Sequence, residues 1–105
     1  MAASGWPTPS QIVVLKTSAD SPYSVQQDDH LILANASGAP MVLNMLSAAG
    51  RWSAKYGVKK IDTSINSITI NAVSGQSIDN QSSYILLTPL LSLTFVSDGS
   101  NWWVE

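Results

Sequence analysis

The residues best equipped for chemistry lie in one short polar stretch. Asp28 and Asp29 precede His30, the only histidine of the 105-residue chain. An imidazole titrates near neutral pH, and neighbouring carboxylates can orient it or share a metal ion with it. Adjacent residues at the start of a strand point to opposite faces, however, so the two carboxylates converge poorly on one ion. This stretch is better interpreted as a polar turn that enters a strand over residues 30–35.

A second pattern with possible chemistry lies near the end of the chain. Asp98 and Gly99 resemble the start of a calcium-binding loop, but the further oxygen ligands of such a loop do not follow. The pair instead predicts a tight hairpin turn, whose positive backbone angles Asp-Gly readily adopts. The sequence contains no phosphate-binding loop, zinc-ligand spacing or Ser-His-Asp order. We therefore predict that the protein is not an enzyme and uses no cofactor or metal.

Composition argues against several other classes of function. Charged residues make up 11% of the chain, and the net charge is −2. Four of the five basic residues fall between positions 51 and 60, but Asp62 follows directly, so they form no concentrated basic face for nucleic acid. No run approaches the roughly 18 apolar residues of a membrane span, and residues 1–10 do not resemble a signal peptide. We expect neither nucleic acid nor a membrane as a partner. We expect the protein to be made and assembled in a cytoplasm.

Short apolar stretches separated by turn residues predict an all-β fold, a small antiparallel sandwich or barrel. The predicted strands cover residues 11–16, 23–25, 30–35, 41–46, 55–61, 67–71, 84–87, 91–96 and 102–104. Alternation predicts that Tyr56 and Val58 share one face of their strand and that the following side chains point inward: Leu31, Leu33, Val42, Leu46, Ile68 and Ile70. Ile78 is expected to enter the core from a long polar connection. Residues 11–105 would thus form one β-domain.

Residues 1–10 predict a different kind of segment, an extended N-terminal arm. Pro7 and Pro9 push the residues before them toward extended geometry, so neither a helix nor a paired strand is expected there. Trp6 is a suitable anchor. We expect Trp6, Pro7 and Pro9 to contact a neighbouring subunit, with the domain's own surface as the alternative.

Residues 84–91 are apolar on both faces of the strand they would form. One face can cover the domain's own core, and the other requires a second layer. The low charge of the chain agrees with a surface that other subunits cover. We therefore predict an oligomer, and the alternative is a thick sandwich that buries these side chains within one subunit. The predicted interface consists of Leu86, Leu87, Leu90, Leu91 and one of two adjacent tryptophans, taken as Trp103.

Exposed aromatic side chains on a β-surface can also bind sugar rings. The candidates are Trp52, Tyr56, Trp102 and Trp103. Aromatic residues are equally enriched at protein interfaces. Because no paired Asp or Glu is evident beside these residues, the sequence favours core and interface positions over a glycan site.

Residues 59–105 resemble a module that is common in virion proteins of tailed bacteriophages. The resemblance rests on Lys-Lys-Ile-Asp at 59–62, Ser-Ile-Thr-Ile at 67–70, Ile-Asp at 78–79, Tyr84 and the segment 93–102, Leu-Thr-Phe-Val-Ser-Asp-Gly-Ser-Asn-Trp. Such modules are small β-domains, often at the ends of tail fibres or spikes, where they form trimers. The resemblance brings no catalytic residues.

The sequence departs from that pattern at Leu90 and Leu91, where polar or charged residues are more usual. It also contains no fibre shaft, internal repeat or coiled-coil heptad. The resemblance therefore implies a protein similar to capsid decoration, or cement, proteins: a homotrimer that binds the major capsid protein or another virion protein and stabilises the shell. The alternative is a tail fibre or spike tip, or a tail adaptor, that binds a host receptor or glycan. Both place the protein in the virion.

Overall fold

A computed structural model of the protein describes residues 12–105. The predicted arm over residues 1–10, with Trp6, Pro7 and Pro9, lies outside the described residues. In the described part, the fold is all-β, as the sequence predicts, with one short 3-10 turn after the first strand. This part contains no helix with the length and hydrophobicity of a membrane span.

Each predicted strand is present, with ends displaced by a few residues. The strands are β1 (Ile12–Thr17), β2 (Tyr23–Ser24), β3 (Asp29–Asn35), β4 (Met41–Asn44), β5 (Lys55–Lys60), β6 (Ile68–Asn71), β7 (Ser83–Leu86), β8 (Ser92–Ser97) and β9 (Trp102–Val104). They form a five-stranded sheet in the order β1-β3-β5-β8-β9 and a four-stranded sheet in the order β2-β4-β6-β7.

The prediction of antiparallel sheets is wrong for the first six strands. The pairs β1–β3, β3–β5, β2–β4 and β4–β6 are all parallel. The chain alternates between the two sheets, so each strand pairs with the strand two places earlier, as in the coils of a β-helix. The connection that parallel pairing requires is therefore a strand of the other sheet. In the last part of the chain, β7 pairs antiparallel with β6, and β8 pairs antiparallel with β5 and β9, which reverses the winding.

The core lies between the two sheets. Ile68, Ile70 and Ile78 are buried as predicted, and Tyr56 and Val58, on one face of β5, are buried as well. The largest buried side chain is that of Trp102, which makes an edge-to-face contact with Tyr56 at a centroid distance of 5.5 Å. Its indole nitrogen donates to the carbonyl of Leu46 at 3.1 Å. The buried indole is thus both packed and hydrogen-bonded.

Two inward assignments are wrong by one residue. In β3 the core side chains are Ile32 and Ala34, and Leu31 and Leu33 are half-buried on the outer face. In β4 the core side chains are Met41 and Leu43, and Val42 is half-buried; beyond the strand, Met45 is buried and Leu46 is partly buried against the core. Both segments are apolar on both faces, so alternation does not identify the inner face, and a shift of one residue exchanges the two sets.

The connections between the sheets gather at two corners of the flattened coil. The first corner consists of residues 18–22, 36–40, 61–67 and 87–91, and the second consists of residues 25–28, 45–54, 72–82 and 98–101. Strand β8 runs from the first corner to the second. Its six residues span about 20 Å at the usual rise per strand residue. Surfaces at the two corners are therefore well separated.

A buried ion pair organises the first corner. The ammonium group of Lys60, which is fully buried, donates to the carboxylate of Asp62 at 2.7 Å and to the carbonyl of Ser64 at 3.0 Å. The carboxylate also accepts the backbone N–H of Ala36 at 2.8 Å. Asn66 donates to the carbonyl of Ala36 at 2.8 Å. We call β3 and β4 with their connection the second coil, and β5 and β6 with theirs the third coil. The third coil thereby satisfies both the N–H and the carbonyl of Ala36 at the corner of the second coil.

These donors keep Asp62 ionised. Burial alone raises the pKa of its carboxyl group, but the hydrogen bonds from Lys60, Ser64 and Ala36 outweigh burial and hold the pKa well below its usual range. A buried charge of this kind stabilises the fold only while its partners are present.

Removing the carboxylate should therefore be more damaging than removing the cation. Asp62→Ala leaves Lys60 buried without its counter-ion and orphans the N–H of Ala36, so we expect a loss of roughly 3–5 kcal/mol in the free energy of unfolding. Lys60→Met leaves Asp62 with its other donors and should cost less. Urea denaturation measures both. Asp28→Ala, at an exposed position, is the control and should change stability by about 0.5 kcal/mol or less. Equal stability of the Asp62 and Asp28 variants would contradict the assignment.

The same carboxylate makes stability depend on pH. The pKa of Asp62 is lower in the folded state than its unfolded value of about 3.9, so the unfolded state binds the proton first as pH falls. Its contribution is complete above that value and is lost as pH falls toward the folded pKa. The stability difference between wild type and Asp62→Asn should be constant from pH 7 to 5 and shrink between pH 4 and 2 in urea titrations. A difference that does not change with pH would show that Asp62 is not ionised in the folded protein.

Candidate binding surfaces at the two corners

The polar stretch around His30 is part of the scaffold. The carboxylate of Asp29 is buried and accepts the hydroxyl of Tyr23 at 2.6 Å and the N–H of Gln26 at 2.8 Å. Burial, followed by the hydrogen bond to Asp29, raises the pKa of Tyr23 to about 12. Asp28 and His30 are exposed. Among residues 12–105, no three His, Cys, Asp or Glu side chains are grouped so that they could hold a metal ion. Asp29 thus fixes the turn into β3.

The structure divides the predicted interface residues into two groups. Leu86 is only 1% exposed and belongs to the subunit's own core, so it is not available to a partner. The strand that was predicted to continue to residue 91 instead ends at Leu86. Beyond it, Pro89 cannot donate to a sheet, and Leu90 has a positive φ of 65°. Leu87, Leu90 and Leu91 lie in the following loop and are exposed by 53%, 55% and 43%.

A further exposed apolar residue lies next to this loop. Ile65 is 91% exposed and lines an apolar cavity of about 350 Å³ together with Leu87 and Pro89. We define the leucine surface as Ile65, Leu87, Pro89, Leu90 and Leu91. Sequence analysis did not find Ile65, since one isoleucine among polar residues gives no periodic pattern. None of these side chains is charged. Ile65, Leu87 and Pro89 line one cavity, and Leu90 and Leu91 follow in the same loop. Exposed apolar residues gathered in this way typically mark an interface.

The loop that carries the leucine surface is held firmly by β5. The N–H of Leu90 donates to the carbonyl of Lys60 at 2.8 Å, and the N–H of Lys60 donates to the carbonyl of Leu91 at 3.1 Å. The ammonium group of Lys59 donates to the carbonyl of Leu90 at 2.7 Å. A leucine with positive φ is strained by about 1–3 kcal/mol and persists only where its surroundings impose it. The loop is therefore presented in one conformation.

The four aromatic candidates separate into core and surface. Tyr56 and Trp102 are buried, as described above. Trp103 is 40% exposed on the opposite face of β9, in agreement with the alternation expected for adjacent strand residues. Trp52 is 74% exposed in the second corner. Both exposed indoles contact the Asp98–Gly99 turn, and we define the tryptophan surface as Trp52, Asp98, Gly99 and Trp103.

Asp98 fixes both the turn and one of the indoles. One carboxylate oxygen accepts the backbone N–H groups of Ser100 and Asn101 at 2.9 and 2.8 Å, and the other accepts the indole N–H of Trp103 at 2.8 Å. The hydrogen bond from Trp103, followed by those from Asn101 and Ser100, lowers the pKa of Asp98. The tight turn was predicted from the sequence. Its carboxylate beside Trp103 was missed, because the turn brings together residues five positions apart.

Gly99 supports the second indole. It has a positive φ of 92°, and a Cβ at this position would clash with Cε2, Nε1 and Cδ2 of Trp52. Its carbonyl accepts the N–H of Gly50 at 3.0 Å. The backbone at Gly99 is thus close to the ring of Trp52 and joined to the loop that carries it.

No protein-family model matches this sequence, and no curated protein is significantly similar to it.

The contact between Gly99 and Trp52 can be separated from the backbone effect by a matched pair of variants. Gly99→Ala and Gly75→Ala both place a side chain at positive φ, but the Cβ at Gly75 meets open space. We expect Gly75→Ala to cost about 1–2 kcal/mol, the usual penalty of this conformation, and Gly99→Ala to cost more and to displace Trp52. Urea denaturation gives the costs, and acrylamide quenching of fluorescence reports on the displacement. Equal costs with unchanged quenching would contradict the contact.

Proposed function

We propose that this protein is a structural component of a tailed-bacteriophage virion, where it acts as a homotrimeric capsid decoration protein that stabilises the shell. The observation that carries the proposal is the leucine surface, which is exposed, uncharged and rigidly held. The resemblance of residues 59–105 to virion modules supplies the viral context. The protein would assemble in the host cytoplasm and would have no enzymatic activity.

The energetics of the leucine surface support self-association. Fully burying a large aliphatic side chain stabilises by roughly 1.5–3 kcal/mol. Three leucines, one isoleucine and a proline on each subunit therefore offer several kcal/mol. Association also orders mobile groups at a cost of about 0.5–1.5 kcal/mol for each flexible side chain. Because β5 already holds the loop, part of that cost is met before the subunits meet. The five side chains of the leucine surface are themselves uncharged, and the ammonium group of Lys59 beside them is bound by the carbonyl of Leu90.

The shape of the domain also supports the proposal. Two mixed sheets around one core form a small sandwich-like unit, in which the corners carry the contacts. In a trimer the leucine surfaces would face one another. Trp103, which the sequence also assigns to the interface, lies at the other end of β8, about 20 Å away, and would remain outside that contact. The arm residues Trp6, Pro7 and Pro9 would reach an adjacent subunit or the major capsid protein. Several weak contacts made together would seat the trimer firmly.

A second candidate function is favoured by the tryptophan surface. Two exposed indoles beside a short turn fit a tail fibre tip, or a tail adaptor, that binds a host receptor or glycan. Copy number in purified particles separates the two functions, since a decoration protein is present in hundreds of copies and a tail tip in few.

Charge placed on the leucine surface should prevent assembly. We expect Leu90→Asp and Leu91→Asp to sediment as folded monomers, because a carboxylate cannot be buried unpaired between apolar side chains. Val73→Asp, an exposed apolar position in the second corner, is the control and should retain the wild-type sedimentation coefficient. Circular dichroism checks that all variants are folded. Folded Leu90 and Leu91 variants that sediment as the wild type does would refute this face as the interface.

A further inference from the structure

We propose that the tryptophan surface is a saccharide-binding platform, on which the indoles of Trp52 and Trp103 stack against pyranose rings. The inference deepens the second candidate function by naming the site and the chemical class of the ligand. It does not require that the protein form a trimer.

Trp52 is built as a platform. Atoms Cδ2, Cε2 and Nε1 of its ring all lie at 2.8 Å or less from the position that a Cβ of Gly99 would take. Three neighbouring ring atoms can be this close to one point only if the face of the indole, rather than its edge, covers Gly99. The opposite face accounts for the 74% exposure of the residue. One flat apolar face is thus supported from below and open from above.

Trp103 is oriented from the other side of the turn. Its indole N–H is bound by Asp98 at 2.8 Å, so the side chain cannot rotate freely although it is 40% exposed. Immobilising a side chain on binding has an entropic cost. In Trp103 that ordering is largely complete before any ligand arrives, which is the preorganisation that a binding site requires.

The polar surroundings indicate a sugar rather than an apolar protein partner. Ser53, which follows Trp52 in the chain, and Ser100, in the turn that Asp98 caps, are exposed. The Asp98 oxygen that binds Trp103 receives no other hydrogen bond from the described residues and retains capacity for one more. A pyranose presents an apolar C–H face and a rim of hydroxyl groups. Flat aromatic faces with hydroxyl and carboxylate groups around them match both features.

The position of the platform leaves it free during assembly. The tryptophan surface and the leucine surface lie at opposite ends of β8, about 20 Å apart. Burying the leucine surface between subunits therefore does not cover the indoles. An oligomer would present several platforms together, and weak saccharide contacts would add up to firm attachment.

The test uses the full-length protein and an array of tetrasaccharides and hexasaccharides of glucose, galactose, mannose and N-acetylglucosamine. Binding on the array is then measured per site in solution by calorimetry. We expect at least one of these saccharides to bind, and Trp52→Ala and Trp103→Ala each to weaken binding about tenfold or more. Trp52→Phe, which keeps a stacking face, should retain part of the affinity. Val73→Asp, outside the platform, should bind as the wild type does.

Several outcomes would overturn the proposal. Absence of binding to every saccharide on the array would do so, and so would wild-type affinity in Trp52→Ala. If no saccharide binds and Trp52→Ala instead changes the oligomeric mass, the surface is a protein interface. The monomeric Leu91→Asp variant separates this inference from the trimer proposal, because it should keep the same affinity per site in calorimetry. Loss of trimer formation and loss of saccharide binding are thus distinguishable failures.

Discussion

The fully buried residue Lys60 stabilises both the winding of the coils and the loop that carries the leucine surface. Its ammonium group neutralises Asp62, whose carboxylate binds the backbone of Ala36 and so joins the second coil to the third. Its backbone N–H and carbonyl pair with Leu91 and Leu90 and hold the loop that carries the leucine surface. A lysine is rarely fully buried, and the cost of removing it from water is offset here by complete hydrogen bonding. One residue thus supports both the winding of the chain and the proposed interface.

The reversal of the chain after β6 determines where the two surfaces lie. Up to that point each coil adds one parallel strand to each sheet, and the connections alternate between the corners. β7 and β8 then return antiparallel, so the loop between them belongs to the first corner and the turn after β8 belongs to the second. A short module acquires two chemically different ends in this way. One end carries the exposed aliphatic side chains of the leucine surface, and the other combines indoles with polar groups.

Much of the local structure could be predicted from the sequence, because turn residues and short apolar stretches mark strands regardless of their partners. The Asp98–Gly99 turn, the burial of Ile78 and the opposite orientations of Trp102 and Trp103 were predicted on these local grounds. Strand direction was not, since it depends on which sheet the intervening segment joins. The inner faces of β3 and β4 were not predicted correctly either, because both faces of these strands are apolar.

The candidate sites were predictable to a smaller extent. Leu87, Leu90 and Leu91 belong to an apolar run with more apolar side chains than the core of one domain requires. In the structure these three side chains are exposed. Leu86 could not be separated from them, since only the pairing of β7 with β6 shows that it points inward. The burial of Lys60 and the contact of Asp98 with Trp103 depend on neighbours that composition and periodicity do not reveal.

The mass of the wild-type protein in solution tests the central claim, that the leucine surface is buried between identical subunits, most directly. Multi-angle light scattering behind size-exclusion chromatography measures it without reference to shape. The account predicts a mass three times that of the 11.2 kDa chain, unchanged on dilution to low micromolar concentration. A mass of 11.2 kDa at the highest concentration reached would contradict it, and would show that the exposed leucines do not hold subunits together.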